Sequence, residues 1–85
     1  MRIVYTESAL RELRKLDRTA REKIKECMDR VAGLPDPRMA GKALRGGFAG
    51  LWRYRAGDYR IICDITNDAI LVTVLHIGHR REIYK

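Results

Sequence analysis

Six basic residues, Arg38, Lys42, Arg45, Arg53, Arg55 and Arg60, fall between positions 38 and 60, with Asp58 the one acidic residue among them. A guanidinium is a planar fork that can grip two phosphate oxygens, and a lysine ammonium adds a compact point charge. In an extended strand successive side chains alternate, so Arg53 and Arg55 share one face while Trp52 and Tyr54 share the other. Further along, Arg60, Ile62 and Asp64 share a face opposite Tyr59, Ile61, Cys63 and Ile65. If the aromatic side covers a core, Arg53, Arg55 and Arg60 line an open face suited to a phosphate backbone. The tail after Gly78 can bring Arg80 and Tyr84 to the same surface. A plainer reading is that arginines on an outer sheet face keep the chain in solution and block edge pairing. The pattern alone leaves both open.

Other chemistry has less support. No Ser or Cys stands at a recognisable spacing from a His, and no His/Cys cluster has zinc spacing. Gly41-Lys42-Ala43 lacks the spacing and the following hydroxyl of a phosphate-binding P-loop. His76, inside an apolar run, reads as a core or edge residue, whereas His79 sits in the basic tail, where it could exchange protons. Cys27 and Cys63 each lie in an apolar pattern and read as small hydrophobes rather than a disulfide framework.

The chain has 85 residues, 46% hydrophobic and 34% charged, with 18 Lys+Arg against 11 Asp+Glu and a net charge of +7. At this length roughly 64% of the unfolded surface can be buried, enough for one small core and too little for a two-domain cofactor enzyme. The expectation is a single domain over residues 1–85. The positive balance points to a polyanionic partner, nucleic acid first. No apolar run is long enough for a membrane span or a signal peptide, so a cytoplasmic protein without membrane contact is expected.

Positioning these residues requires a particular set of elements. Arg2 to Tyr5 reads as an edge strand, and Thr6 as the cap of a first helix carrying Leu10, Leu13 and Leu16. Asp17 can cap a second helix with Ala20, Ile24, Cys27, Met28 and Val31 on one stripe, stopped by Gly33 and by Pro35 and Pro37. Asp36 to Gly50 is a glycine-loosened loop with some helical potential. Strands are predicted over Leu51 to Arg55, Tyr59 to Ile65 and Ala69 to Ile77, the last apolar and central, with turns at Ala56-Gly57 and Thr66-Asn67-Asp68. The fold class is α+β: an N-terminal strand, a helical hairpin, then an antiparallel meander, with the helices on one face of the sheet.

Two stretches carry a family likeness. Leu51-Trp52-Arg53-Tyr54-Arg55-Ala56-Gly57-Asp58-Tyr59-Arg60-Ile61-Ile62 and Ile77-Gly78-His79-Arg80-Arg81-Glu82-Ile83-Tyr84, with Leu44-Arg45-Gly46 ahead of them, resemble the RelE branch of the RelE/ParE toxin superfamily. The resemblance extends over essentially the whole chain and implies the RelE/ParE-like microbial RNase fold. It implies a type II toxin: a metal-independent, cofactor-free endoribonuclease that enters the ribosomal A site and cuts mRNA by attack of a 2′-OH on the adjacent phosphorus. It also implies a cognate RelB-like antitoxin, the free toxin being expected as a monomer.

Carried over position by position, the resemblance implies that Arg60 meets the scissile phosphate. Arg80 stabilises charge or protonates the leaving group, and Tyr84 stacks on a base. Lys42, Arg45, Arg55 and Arg81 are candidate RNA contacts. Arg53 falls where the family has one of two strand lysines, and Leu51 where it has the other. Arginine does not give up its proton in a protein, so His79 is the candidate base or acid. Two other functions fit the same fold: inhibition of DNA gyrase in the manner of ParE, and a non-catalytic RNA- or protein-binding domain.

Overall fold

The computed structural model describes residues 1–66 and 68–79. The first strand, β1 (Arg2–Tyr5), runs into helix α1 (Glu7–Arg14) through Thr6. Thr6 is extended, and its Oγ1 accepts the Ala9 N–H at 3.1 Å, meeting one of the orphan donors of the first turn. The helix tightens at its end, where Lys15 and Leu16 N–H donate to the carbonyls of Glu12 and Leu13, three residues back. It therefore stops short of the predicted Leu16.

Asp17 caps helix α2 (Arg18–Ala32), its Oδ1 accepting the Ala20 N–H at 2.8 Å. The predicted stripe is the buried one: Ala20, Ile24, Cys27, Met28 and Val31. Gly33 ends the helix in right-handed geometry, φ −83°, so it is Pro35 and Pro37 beyond it, and not a left-handed glycine cap, that prevent continuation.

The stretch expected to be a loop contains two short 3₁₀ turns, Pro37–Met39 and Gly46–Phe48, and a two-residue strand, β2 (Lys42–Ala43). Tyr54, 2% exposed, fastens it: its hydroxyl donates to the Pro37 carbonyl at 2.6 Å. Gly41 lies against the same ring. A Cβ there would stand 3.1 Å from Tyr54 and 3.3 Å from Trp52, so a larger residue would push the segment leading into β2 off the sheet.

Strands β3 (Trp52–Ala56), β4 (Tyr59–Ile65) and β5 (Leu71–His79) form the expected meander. Gly57 takes φ +60° in the two-residue turn between β3 and β4. The strand β5 begins later than the predicted Ala69 because the preceding turn consumes two more residues. Asp68 Oδ1 accepts from the Thr66 hydroxyl and the Ile70 N–H, and Ala69 takes φ +60°. The sheet has five strands in the order β1-β5-β4-β3-β2, with β1 parallel to β5 and the other pairs antiparallel.

One irregularity decides which way the end of β5 faces. Ile62 pairs with His76 and Cys63 with Val74, so Leu75 is an extra residue in β5. Val72, Val74 and then Ile77 are buried, an odd step that uninterrupted alternation forbids. The helices pack on the face carrying Tyr54, Ala56, Ile61, Cys63, Val72, Val74 and Ile77. Each large side chain fully buried there, such as Ile24 or Ile61, contributes about 1.5–3 kcal/mol.

Candidate nucleic-acid interface

The register builds the opposite face row by row. Lys42 lies directly across from Arg53, Arg53 from Ile62, and Ile62 from His76. In the next row Arg55 lies across from Arg60, and Arg60 from Gly78. Two cross-strand pairs on one face are therefore cation against cation. Like charges directly opposite are unfavourable in a sheet, and an arrangement of this kind suits a polyanionic ligand. Lys42 and Arg55 are exposed and Arg53 is half-buried. Arg45 is exposed at the start of the Gly46–Phe48 turn, beside these rows and outside them.

Arg60 departs from expectation. It lies on the predicted face but is 9% exposed, and its neighbour Ile62 is fully buried although it lies outside the helix-side cluster. The face is thus open around Lys42 and Arg55 and closed over Arg60. Gly78, directly across from Arg60, contributes no side chain of its own to that row.

His79 is not brought to this face. The extra residue in β5 turns Ile77, and with it His79, toward the helices. His79 lies directly across from Tyr59, the two rings edge to face with centroids 5.8 Å apart. Both border a hollow of about 430 Å³ with Glu12, Lys15 and Leu16. His76 is exposed, its Nδ1 3.5 Å from Glu12 Oε1, an edge residue as the sequence suggested. Arg80, Arg81 and Tyr84 lie outside the described residues.

Both cysteines are buried, as their apolar setting predicts. Burial pushes the Cys63 thiol up to about 12 and raises that of Cys27, whose Sγ lies 3.7 Å from the Arg55 carbonyl. Among the described residues no group of three His, Cys, Asp or Glu could hold a metal ion, and no helix is long and apolar enough to cross a membrane.

A second surface went unnoticed in the sequence. Tyr5, Leu10 and Leu13 floor a groove of about 450 Å³ between the helices, and Arg18, Arg21, Glu22 and Lys25 rim it. Leu10 and Leu13 lie on α1, as their helical spacing predicts, and both are only partly buried. The residue pattern cannot distinguish an apolar side chain facing a core from one lining a groove.

Residues 3–84 match the family model described as ParE toxin of the type II toxin–antitoxin system parDE. The chain belongs to the ParE toxin family. A toxin RelE of Mycobacterium tuberculosis is 35% identical over 98% of this chain and 84% of its own length. The mRNA interferase toxin RelE of Escherichia coli is 32% identical over 94% and 85%. Among solved structures, the toxin–antitoxin complex RelBE2 of M. tuberculosis superimposes with a TM-score of 0.80 at 28% identity, covering 94% of this chain and 91% of that one. The resemblance to RelE toxins read from the Leu51 to Ile62 and Ile77 to Tyr84 stretches holds over nearly the full chain, as does the α+β fold.

Proposed function

We propose that this chain is an mRNA endonuclease of the RelE type, acting in the cytoplasm on ribosome-bound message and silenced by a RelB-like antitoxin. The observation that carries the reading is the pair of cation-on-cation rows, Lys42 with Arg53 and Arg55 with Arg60, on the sheet face turned away from the helices. The names of the relatives support it: RelE toxins, one of them an mRNA interferase, and a solved toxin–antitoxin complex.

In this reading the 2′-OH attacks the adjacent phosphorus, the bond to the 5′ oxygen breaks, and a 2′,3′-cyclic phosphate and a 5′-OH result. Arg60 and Arg53 carry the charge that grows on the phosphorane oxygens, and such preorganised donors supply the largest part of the acceleration. Lys42, Arg45 and Arg55 hold neighbouring phosphates. Arg80 and Tyr84 are assigned, from the family, to the leaving oxygen and to base stacking, and Arg81 to the backbone. Arg53 cannot take the 2′ proton. Positive charge around the phosphate makes that hydroxyl more acidic, so its proton can leave to solvent. His79, beside Tyr59, takes no part in this scheme.

The antitoxin would place apolar side chains in the groove of Tyr5, Leu10 and Leu13 and acidic ones against Arg18, Arg21 and Lys25. The test of the whole reading is 5′-end mapping of a defined mRNA in a reconstituted translation reaction, with and without ribosomes. In-frame cuts that require ribosomes support it. Absence of cuts together with blocked supercoiling by gyrase would assign the chain to ParE-like chemistry, and absence of both effects to a binding domain.

A further inference from the structure

The strand β5 outruns its neighbour. Its last partner on β1 is Tyr5, opposite Val74, yet it continues to His79. Beyond that point no strand among the described residues lies beside the outer edge of β5, and backbone groups there need other partners. Helix α1 and its cap supply them. Thr6 N–H donates to the Val74 carbonyl at 3.0 Å, and the Thr6 hydroxyl to the Leu75 carbonyl at 3.4 Å. Glu12 Oε1 then accepts the Ile77 N–H at 3.3 Å and stands 3.5 Å from His76 Nδ1. Glu12 occupies an odd place for a carboxylate. It lies three residues after Ala9 and four before Leu16, on the inward side of α1, and is only half-buried.

We propose that Glu12 is a positioning residue that latches the end of β5 to α1 and so fixes the point from which the chain continues to Arg80. The assignment rests on the nuclease reading above. Arg80 follows Ile77 by three residues, at most about 10 Å of extended chain. A shift of the Ile77 backbone moves Gly78, directly across from Arg60, and the point from which the chain runs on to Arg80. A misplacement of about 1 Å can cost roughly 100-fold in rate. Glu12 touches no reacting atom in this scheme and acts only through the strand it holds.

Two near-isosteric variants separate latch from charge. Glu12→Gln keeps an oxygen that can accept the Ile77 N–H, whereas Glu12→Met keeps the length and helix preference without any acceptor. In single-turnover cleavage of ribosome-bound mRNA, Glu12→Met should lower the maximal rate about 10- to 100-fold with half-saturation unchanged, and Glu12→Gln should recover most of it. In an Arg80→Ala background, Glu12→Met should add little, because the group it positions is already gone. Wild-type rates in Glu12→Met, equal losses in both variants, or an undiminished loss on top of Arg80→Ala would each overturn the assignment. A wild-type protein that cuts nothing would overturn the nuclease reading, and this assignment with it.

Discussion

Arg55 and Arg60 face each other across a hairpin where an Arg–Glu pair would have been more stable, and Lys42 and Arg53 repeat the arrangement one row away. Arg60 differs from the other three in being buried. Its aliphatic stem contributes packing as well as charge, so Arg60→Ala should abolish cleavage and also destabilise the fold by about 1–3 kcal/mol, measured by urea denaturation. Its burial corrects the expectation that Arg60 lines an open face. His79 makes the complementary case. With its ring against Tyr59 on the helix side, His79→Gln should cleave at the wild-type rate from pH 6 to 8. A lost or shifted pH profile would return His79 to the reaction.

At the scale of elements, the helical hairpin was legible because Thr6 and Asp17 are strong caps and the stripe from Ala20 to Val31 has a clear helical period. The alternation of Arg53, Tyr54 and Arg55 likewise placed the arginines correctly. Three features were hidden for physical reasons. A two-residue strand such as β2 has no period to detect. The parallel pairing of β1 with β5 joins residues nearly seventy positions apart. The extra residue Leu75 sits in an apolar run, where every position looks alike, and it alone decides that Ile77 and His79 turn inward. The groove between α1 and α2 belongs to this scale too. Leu13→Glu should weaken antitoxin binding at least tenfold by calorimetry while leaving mRNA cleavage intact, since the groove lies on the helix side. Unchanged antitoxin affinity would place the partner elsewhere.

Across the whole molecule the two faces of one sheet divide the work. The helix-side face holds the core, with Ile24, Met28, Ile61, Val72 and Val74 almost completely buried. The far face carries Lys42, Arg53, Arg55 and Arg60, and this is where part of the +7 charge resides. In the proposed reading fold and reaction meet in β3, β4 and β5, which carry core side chains on one face and candidate site residues or their neighbours on the other. Arg53 offers the cleanest probe of that division, being half-exposed, central in its row and unnecessary to the core. The decisive measurement is the single-turnover rate of mRNA cleavage on the ribosome for Arg53→Ala, with the urea midpoint recorded alongside. The account predicts a rate about 100- to 1,000-fold below wild type at an unchanged midpoint. A folded Arg53→Ala protein that cuts as fast as wild type would show that the cation-lined face is not where the phosphate reacts.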